Sequence, residues 1–129
     1  MIVGIGSDII DINRVNNVIN RFGKKFINRC FNQIEIDRSS KRLKSSASFA
    51  KRFAAKEACL KALGTGLSQG IFWKDVCIKN DKYGKPSIEL KNNALKKLKK
   101  IVPKDKKPQI NLTITDEKNF AYAMVVISF

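Results

Sequence analysis

The chain has 129 residues, of which 43% are hydrophobic, and a formal net charge of +15 from 26 basic and 11 acidic side chains. This length and composition predict a single globular domain over residues 1–129 and exclude a disordered chain. Histidine is absent, which excludes Ser-His-Asp triads, histidine bases and histidine metal ligands. No apolar run is long enough to span a membrane and no basic leader opens the chain, so a cytoplasmic protein is expected.

The positive charge favours negatively charged partners: nucleic acid, a phosphorylated small molecule, an acidic protein or a membrane surface. Charge alone does not choose among them. The three cysteines, Cys30, Cys59 and Cys77, are odd in number and well separated. They are therefore expected to be reduced core thiols and not a disulfide framework or a zinc site.

The first segment, residues 2–12 (IVGIGSDIIDI), is β-branched with interspersed glycines and is predicted to be a strand. On a period of two, Gly4, Gly6 and Asp8 share one face. Glycines weaken a strand, so they indicate the close approach of another backbone, or of a ligand beside Asp8. Taken alone, Asp8 is equally compatible with a turn or a helix-capping role.

Two helical regions follow. Residues 13–29 predict one amphipathic helix with a basic surface, which is either solvated or docks an acidic partner. Residues 34–51 predict a polar helical region that is broken near Ser39-Ser40 or Ser45-Ser46 and continues into the next helix.

Residues 52–66 (RFAAKEACLKALGTG) predict the helix around which the domain is organised. Glu57 and Lys61 are four residues apart and share a face, either as a surface ion pair or as functional groups. Residues 64–66 end the helix through a left-handed glycine cap. A stripe of small residues lets a neighbouring element approach closely: Ala54, Ala58 and Ala62.

The remaining chain predicts a strand at 72–80, a turn at 81–84 and a partner strand at 85–90. A short basic helix is predicted at 91–102. A closing hairpin is predicted from strands at 109–115 and 120–128, joined by a turn at 116–119.

Two carboxylates stand out in this basic chain, Asp8 and Glu57. Mg²⁺ prefers oxygen ligands and is often bound through one or two carboxylates together with substrate phosphates. Lys61 can pair with a phosphate, and the backbone N–H groups of residues 64–66 can add further donors. These features predict a magnesium-dependent phosphate site, although two carboxylates so far apart in sequence need not meet.

Residues 2–15 (IVGIGSDIIDINRV) and 52–66 resemble the two signature motifs of the holo-acyl-carrier-protein synthases, the small bacterial phosphopantetheinyl transferases. Residues 80–86 (NDKYGKP) and 112–127 are also similar, so the resemblance covers nearly the whole chain. It implies an α+β fold in which a small antiparallel sheet packs against a long central helix and shorter helices. It also implies a homotrimer with active sites at the subunit interfaces.

The resemblance implies a role for each matching residue. Asp8 and Glu57 would bind Mg²⁺, and Lys61 would contact a phosphate of coenzyme A or assist catalysis. The other implied contacts of coenzyme A are Gly64, Thr65, Gly66 and Asn111. Its nucleotide portion is implied to be held by residues of an adjacent subunit, Arg52 and the turn residues Lys85 and Pro86. The basic surface implied to receive the acidic apo carrier protein contains Arg14, Arg21 and Lys24.

Asn111 departs from the resemblance, because family members often have a histidine there. Asparagine can donate a hydrogen bond to a phosphate but cannot act as a base at neutral pH. The proton acceptors that remain are a carboxylate or a metal-bound water.

The implied reaction is the attack of a serine hydroxyl of the carrier protein on the β-phosphate of coenzyme A, releasing adenosine 3′,5′-bisphosphate, in support of fatty acid biosynthesis. Mg²⁺ and Lys61 would neutralise the developing charge. Two other classes of protein compete with this interpretation. A nucleic-acid-binding module explains the charge but not Asp8 and Glu57, and a non-catalytic protein with the same fold leaves the intact set of Asp8, Glu57 and Lys61 unexplained.

Overall fold

The computed structural model describes all residues from Met1 to Phe129. The strands are β1 (Ile2–Asp11), β2 (Val76–Asn80), β3 (Pro86–Leu90), β4 (Gln109–Glu117) and β5 (Phe120–Ser128). The helices are α1 (Ile12–Phe22), α2 (Lys24–Cys30), α3 (Gln33–Ser40), α4 (Ser45–Leu63) and α5 (Asn92–Ile101). None of them is both long enough and apolar enough to cross a membrane.

The strands form two antiparallel sheets, one in the order β1-β5-β4 and one made of β2 and β3. The larger sheet packs one face against α4, and alternate residues of β5 on this face are fully buried: Ala121, Ala123, Val125 and Ile127. The predicted α+β architecture, with an antiparallel sheet on a long central helix, is confirmed. The 72–90 hairpin, however, forms a separate sheet.

Strand β1 lies unusually close to α4, and its glycines are the reason. A Cβ atom added at Gly6 would overlap the carbonyl oxygen of Ala58, and one added at Gly4 would overlap that of Ala62. The small residues on both sides therefore let the two backbones meet. This contact is the predicted close approach, and it brings Asp8 beside the central helix.

Three predicted elements have different bounds. The helix predicted at 13–29 is broken at Gly23, whose positive φ of 54° turns the chain between α1 and α2. The strand predicted at 72–80 begins only at Val76, because Asp75 accepts a hydrogen bond from the Phe72 N–H and closes a 3-10 turn over Trp73–Asp75. The closing turn is shorter than predicted, since β4 continues to Glu117.

All three cysteines are buried and free, as the sequence predicts. Burial raises the pKa of the Cys59 thiol to about 12, so this group stays protonated at neutral pH. The cysteines therefore belong to the core.

Candidate active site

Packing of β1 against α4 brings Asp8 and Lys61 together. Lys61 Nζ lies 3.0 Å from Asp8 Oδ1 and also donates to the Ser7 carbonyl at 2.9 Å. The Asp8 side chain is only 17% exposed, whereas that of Lys61 is 53% exposed. A cation that reaches solvent beside a shielded carboxylate is well placed to meet an incoming anion.

Glu57 lies beside this pair and has no hydrogen-bond or ion-pair partner of its own. The surface ion pair considered for Glu57 and Lys61 is therefore not formed, because Lys61 bonds to Asp8 instead. Burial raises the pKa of the Glu57 carboxyl, the charge of Asp8 raises it further, and Lys61 opposes both. The two acids that the sequence singled out thus lie close enough for the charge of one to act on the other, and their mutual repulsion favours a bound cation.

This donor set suits a hard divalent cation. The chain contains no group of three or more His, Cys, Asp or Glu side chains that could form an all-protein metal cage. Mg²⁺ does not need such a cage, since it retains waters and completes its shell with substrate phosphates. Asp8 and Glu57, two carboxylates at a partly open site, fit that requirement.

The segment 64–66 ends the central helix as predicted, with Gly64 in the left-handed conformation at φ 74°. Its N–H groups donate to carbonyls of the last helical turn: Gly64 to Lys61, and both Thr65 and Gly66 to Leu60. In this conformation the helix carbonyls occupy these N–H groups, and backbone donation to a phosphate stays a prediction. The surface beside Gly64 and Gly66 is nevertheless open, because nothing lies within 4 Å of where a Cβ would be.

Arg52 and Pro86 line a second feature, a basic groove of about 610 Å³ between α4, the α3–α4 connection and the 80–86 turn. Arg52 is 5% exposed, and it donates through Nη2 to Asn80 Oδ1 at 2.9 Å. Its buried Nε has no partner. Burial lowers the pKa of Arg52 to about 10, and Arg38 contributes to that shift.

Sequence reasoning missed most of this groove. Lys85 does not line it, but five other basic residues do: Arg38, Lys41, Arg42, Lys44 and Lys51. The available signal was the density of basic residues between 38 and 44, immediately before the central helix. Asp116 is the only acid in the lining, and it pairs with Lys51 at 3.6 Å.

Not all predicted site residues meet within one chain. Asp8, Glu57 and Lys61 do not line the basic groove. Asn111 is exposed on β4 opposite Val126, on the face of the sheet that points away from α4, whereas Asp8 faces α4. Asp8 with Lys61, the basic groove and Asn111 thus lie on separate surfaces of the chain.

The basic surface of the first helices is present but divided. Arg14 and Arg21 are exposed on α1, seven residues apart and hence on one helical face. Lys24 is exposed at the start of α2, beyond the break at Gly23. No acidic residue lies in either helix, so both present positive charge.

Comparison with known proteins places the chain in a class. Residues 4–124 match the model of the 4′-phosphopantetheinyl transferase superfamily. Holo-[acyl-carrier-protein] synthase from Sinorhizobium fredii is 54% identical over 127 residues, covering 98% of this chain and 91% of the relative. The corresponding protein of Parvibaculum lavamentivorans is 51% identical over 128 residues, covering 99% and 96%.

Solved structures agree. The holo-[acyl-carrier-protein] synthase of Neisseria meningitidis superimposes with a TM-score of 0.85 at 32% identity, over the full length of both chains. That of Helicobacter pylori, in complex with coenzyme A, has a TM-score of 0.81 at 31% identity, covering 96% of this chain and 99% of the other. The chain therefore belongs to the 4′-phosphopantetheinyl transferase superfamily, within its holo-[acyl-carrier-protein] synthase family of enzymes.

Proposed function

We propose that this protein transfers the phosphopantetheine group from coenzyme A to a serine of an apo acyl carrier protein, with Mg²⁺ as cofactor. The observation that carries the proposal is that the contact of β1 with α4 pairs Asp8 with Lys61 and brings Asp8 within electrostatic reach of Glu57. Membership of the family and the relatives' coenzyme A complexes support it.

In the proposed reaction the serine oxygen attacks the β-phosphorus of coenzyme A. The bond to the α-phosphate breaks and adenosine 3′,5′-bisphosphate leaves, while the serine proton passes to a site carboxylate or to water. Asp8 and Glu57 would hold Mg²⁺, which supplies positive charge to the diphosphate when it is bound. Lys61 places a second positive charge at the same point, so positioning and electrostatics supply most of the rate.

The basic groove is proposed to bind the nucleotide portion of coenzyme A. Several cations converge there, among them the buried guanidinium of Arg52, whose Nε has no partner. Pro86 and the 80–86 turn form one side. Residues 64–66 would let coenzyme A pass close to the end of α4, because Gly64 and Gly66 have no side chain.

A homotrimer is proposed because the association of subunits would bring together three surfaces: that of Asp8 and Glu57, the basic groove, and that of Asn111. The face of the β1-β5-β4 sheet that points away from α4 leaves large apolar side chains in solvent, with Ile5 57%, Ile9 64% and Phe120 51% exposed. Burying such a patch favours association. Subunits that join through this face could bring Asn111, Arg52 and the Lys85-Pro86 turn of one chain towards Asp8 and Glu57 of another.

The exposed cations Arg14, Arg21 and Lys24 are proposed to receive the acidic carrier protein. Surface charges of this kind raise association rates and set orientation more than they add affinity. A cytoplasmic location and a role in fatty acid biosynthesis complete the proposal. A nucleic-acid-binding role has less support, because the open sheet face carries aromatic residues but no Lys or Arg.

The deciding experiment is the intact mass of an apo acyl carrier protein incubated with this protein, coenzyme A and Mg²⁺. We expect a mass gain of one phosphopantetheine, lost when a chelator is added. A carrier variant with its acceptor serine replaced by alanine is the matched control and should gain nothing. No gain with any of several carrier proteins would contradict the proposal, and salt-sensitive nucleic-acid binding would then be measured.

A further inference from the structure

Helix α3 is attached to the domain mainly through polar groups. Its fully buried residues are Glu35 and Ser39, which are four apart and share one helical face. Of its apolar residues, Ile36 is only partly covered and Ile34 is 52% exposed. Helices usually bury an apolar stripe. The position of α3 is therefore set largely by the directed contacts of a carboxylate and a hydroxyl.

The central helix presents the matching surface, a buried polar stripe at every fourth residue made of Ser48, Arg52 and Lys56. Ser48 Oγ lies 3.0 Å from Ser39 Oγ and accepts a hydrogen bond from Arg52 Nη1 at 2.8 Å. Lys56 Nζ lies 2.8 Å from Glu35 Oε1, and both side chains are fully buried. Helix α3 is thus joined to α4 at two points on either side of Arg52.

The buried ion pair is fully satisfied. Lys56 Nζ also donates to the carbonyls of Val76 at 2.7 Å and Trp73 at 3.1 Å. Glu35 accepts from the backbone N–H groups of Asn32 at 2.7 Å and Ile78 at 3.1 Å. Asn32 is the N-cap of α3 itself, but the other backbone partners lie in or next to β2, so the pair locks α3, α4 and β2 in one arrangement.

The same helix carries part of the basic groove. Arg38 lies on α3 beside Ser39, Arg42 follows the helix, and both line the groove with Arg52. These like charges repel one another, and the positive charges of Arg38 and Arg42 help to lower the pKa of Arg52. Glu35 acts in the opposite direction on that pKa. The carboxylate of Glu35 therefore lies where its negative charge opposes the repulsion between these arginines, which would move α3 away from α4.

We propose that Glu35 and Lys56 are positioning residues for ligand binding: their pair holds α3 at the separation from α4 at which Arg38 and Arg52 engage one phosphate-bearing ligand. Neither side chain touches the ligand, and each acts through the arginines. The inference rests on the proposed function in that it takes coenzyme A as that ligand. It predicts an effect on the binding of coenzyme A and not on the transfer step.

The test compares the wild type with the double variant Glu35→Gln/Lys56→Met, in which a neutral pair of similar size replaces the ions. Removing one partner alone would leave a buried unpaired charge and endanger folding. We expect the Kd for coenzyme A, measured by calorimetry, and the KM to rise about tenfold, while kcat stays within about twofold, as for loss of a coupled network. The matched control is Leu98→Ala, a core truncation under α5 away from the groove, which should lower Tm and leave the Kd unchanged.

A Kd within about twofold of wild type in the folded double variant would overturn the inference. An equal rise in the Leu98→Ala control would also overturn it, because the effect would then be general destabilisation. If the double variant does not fold, Ser39→Ala is measured instead, because it removes the other contact of α3 with α4, the hydrogen bond between Ser39 and Ser48. This variant must raise the Kd for coenzyme A, and an unchanged Kd overturns the inference. Failure of the wild type to bind coenzyme A is a separate result, which overturns the proposed function and this inference together.

Discussion

Glu57 is the residue at which the demands of stability and of the proposed function conflict. Its carboxyl is half-buried, has no partner and lies beside Asp8. Burial and Asp8 raise its pKa, so the folded state holds this proton more tightly than the unfolded chain does. The free energy of unfolding of the metal-free protein therefore contains a Glu57 contribution that falls as pH rises through the window above the ordinary glutamate value.

The variant Glu57→Gln should therefore raise the Tm of the metal-free protein at neutral pH, because it removes an unfavourable charge. Its transfer rate should fall on the order of 100-fold or more, since a proposed metal ligand is lost. Scanning calorimetry at pH 5 and pH 8 checks the first part, and the Tm difference from wild type should be larger at pH 8. A Tm below that of wild type at pH 8 would show that the carboxylate is structurally required.

The contact of β1 with α4 is the element that creates the site. It depends on Gly4 and Gly6, since a Cβ atom at either would overlap helix carbonyls. The variant Gly6→Ala should lower the free energy of unfolding by about 3 kcal/mol, as expected for overpacking against backbone that cannot move aside. It should also reduce activity at temperatures where the protein is still folded, because Asp8 shifts away from Glu57.

Denaturant unfolding measures the stability of Gly6→Ala, with Ser7→Ala as its control. The side chain of Ser7 is exposed on the opposite face of the same strand, so this variant should lie within about 0.5 kcal/mol of wild type. Equal stability of Gly6→Ala and Ser7→Ala would mean that strand and helix are not in close contact.

At the level of helices and strands, the sequence predicted the features that depend on residues close together in the chain. The i, i+4 alanines predicted a close neighbour for α4, and Gly64 predicted its end. The break at Gly23 was missed because the apolar spacing continues across it, and only the positive φ reveals the turn. The 3-10 turn at Trp73–Asp75 depends on the Asp75 side chain bonding back to Phe72, which a pattern of β-branched and aromatic residues does not show.

Contacts between residues far apart in the sequence could not be predicted from the sequence. The Glu35–Lys56 pair joins residues 21 positions apart in a chain with many unpaired lysines, and nothing local distinguishes Lys56 from them. The meeting of Asp8 and Glu57 was expected only through the resemblance to a family. Lys61 pairs with Asp8 and not with Glu57, and predicting this requires the position of β1 relative to α4.

On the scale of the whole molecule, the exposed apolar sheet face predicts assembly. The variant Ile5→Glu places a charge on the β1 edge of this face, opposite Val126 of the central strand, and should convert a trimer to monomers with loss of transfer activity. Light scattering after size exclusion measures the mass. The matched control is Ile34→Glu on α3, where an isoleucine of similar exposure, 52% against 57%, lies off the sheet. A monomeric wild type would contradict the trimer.

Carrier docking is predicted to depend on where charge lies and not only on its amount. The variant Arg14→Glu/Arg21→Glu should raise the KM for carrier protein at least about tenfold, with a weaker dependence on salt. Its control, Lys99→Glu/Lys100→Glu, makes the same charge change at the exposed end of α5. Equal effects of the two variants would show that the net charge attracts the carrier without a defined docking surface.

The central claim is that Asp8 and Glu57 form the metal site at which transfer occurs. The most direct measurement is the initial rate of transfer as a function of Mg²⁺ concentration for the wild type and for Asp8→Asn, which keeps the size of the side chain and removes its charge. We predict a saturable dependence on Mg²⁺ in the wild type and a rate lower by on the order of 100-fold or more in Asp8→Asn, with Tm preserved. A wild-type rate that persists in excess chelator, or a folded Asp8→Asn variant with full activity, would contradict the claim.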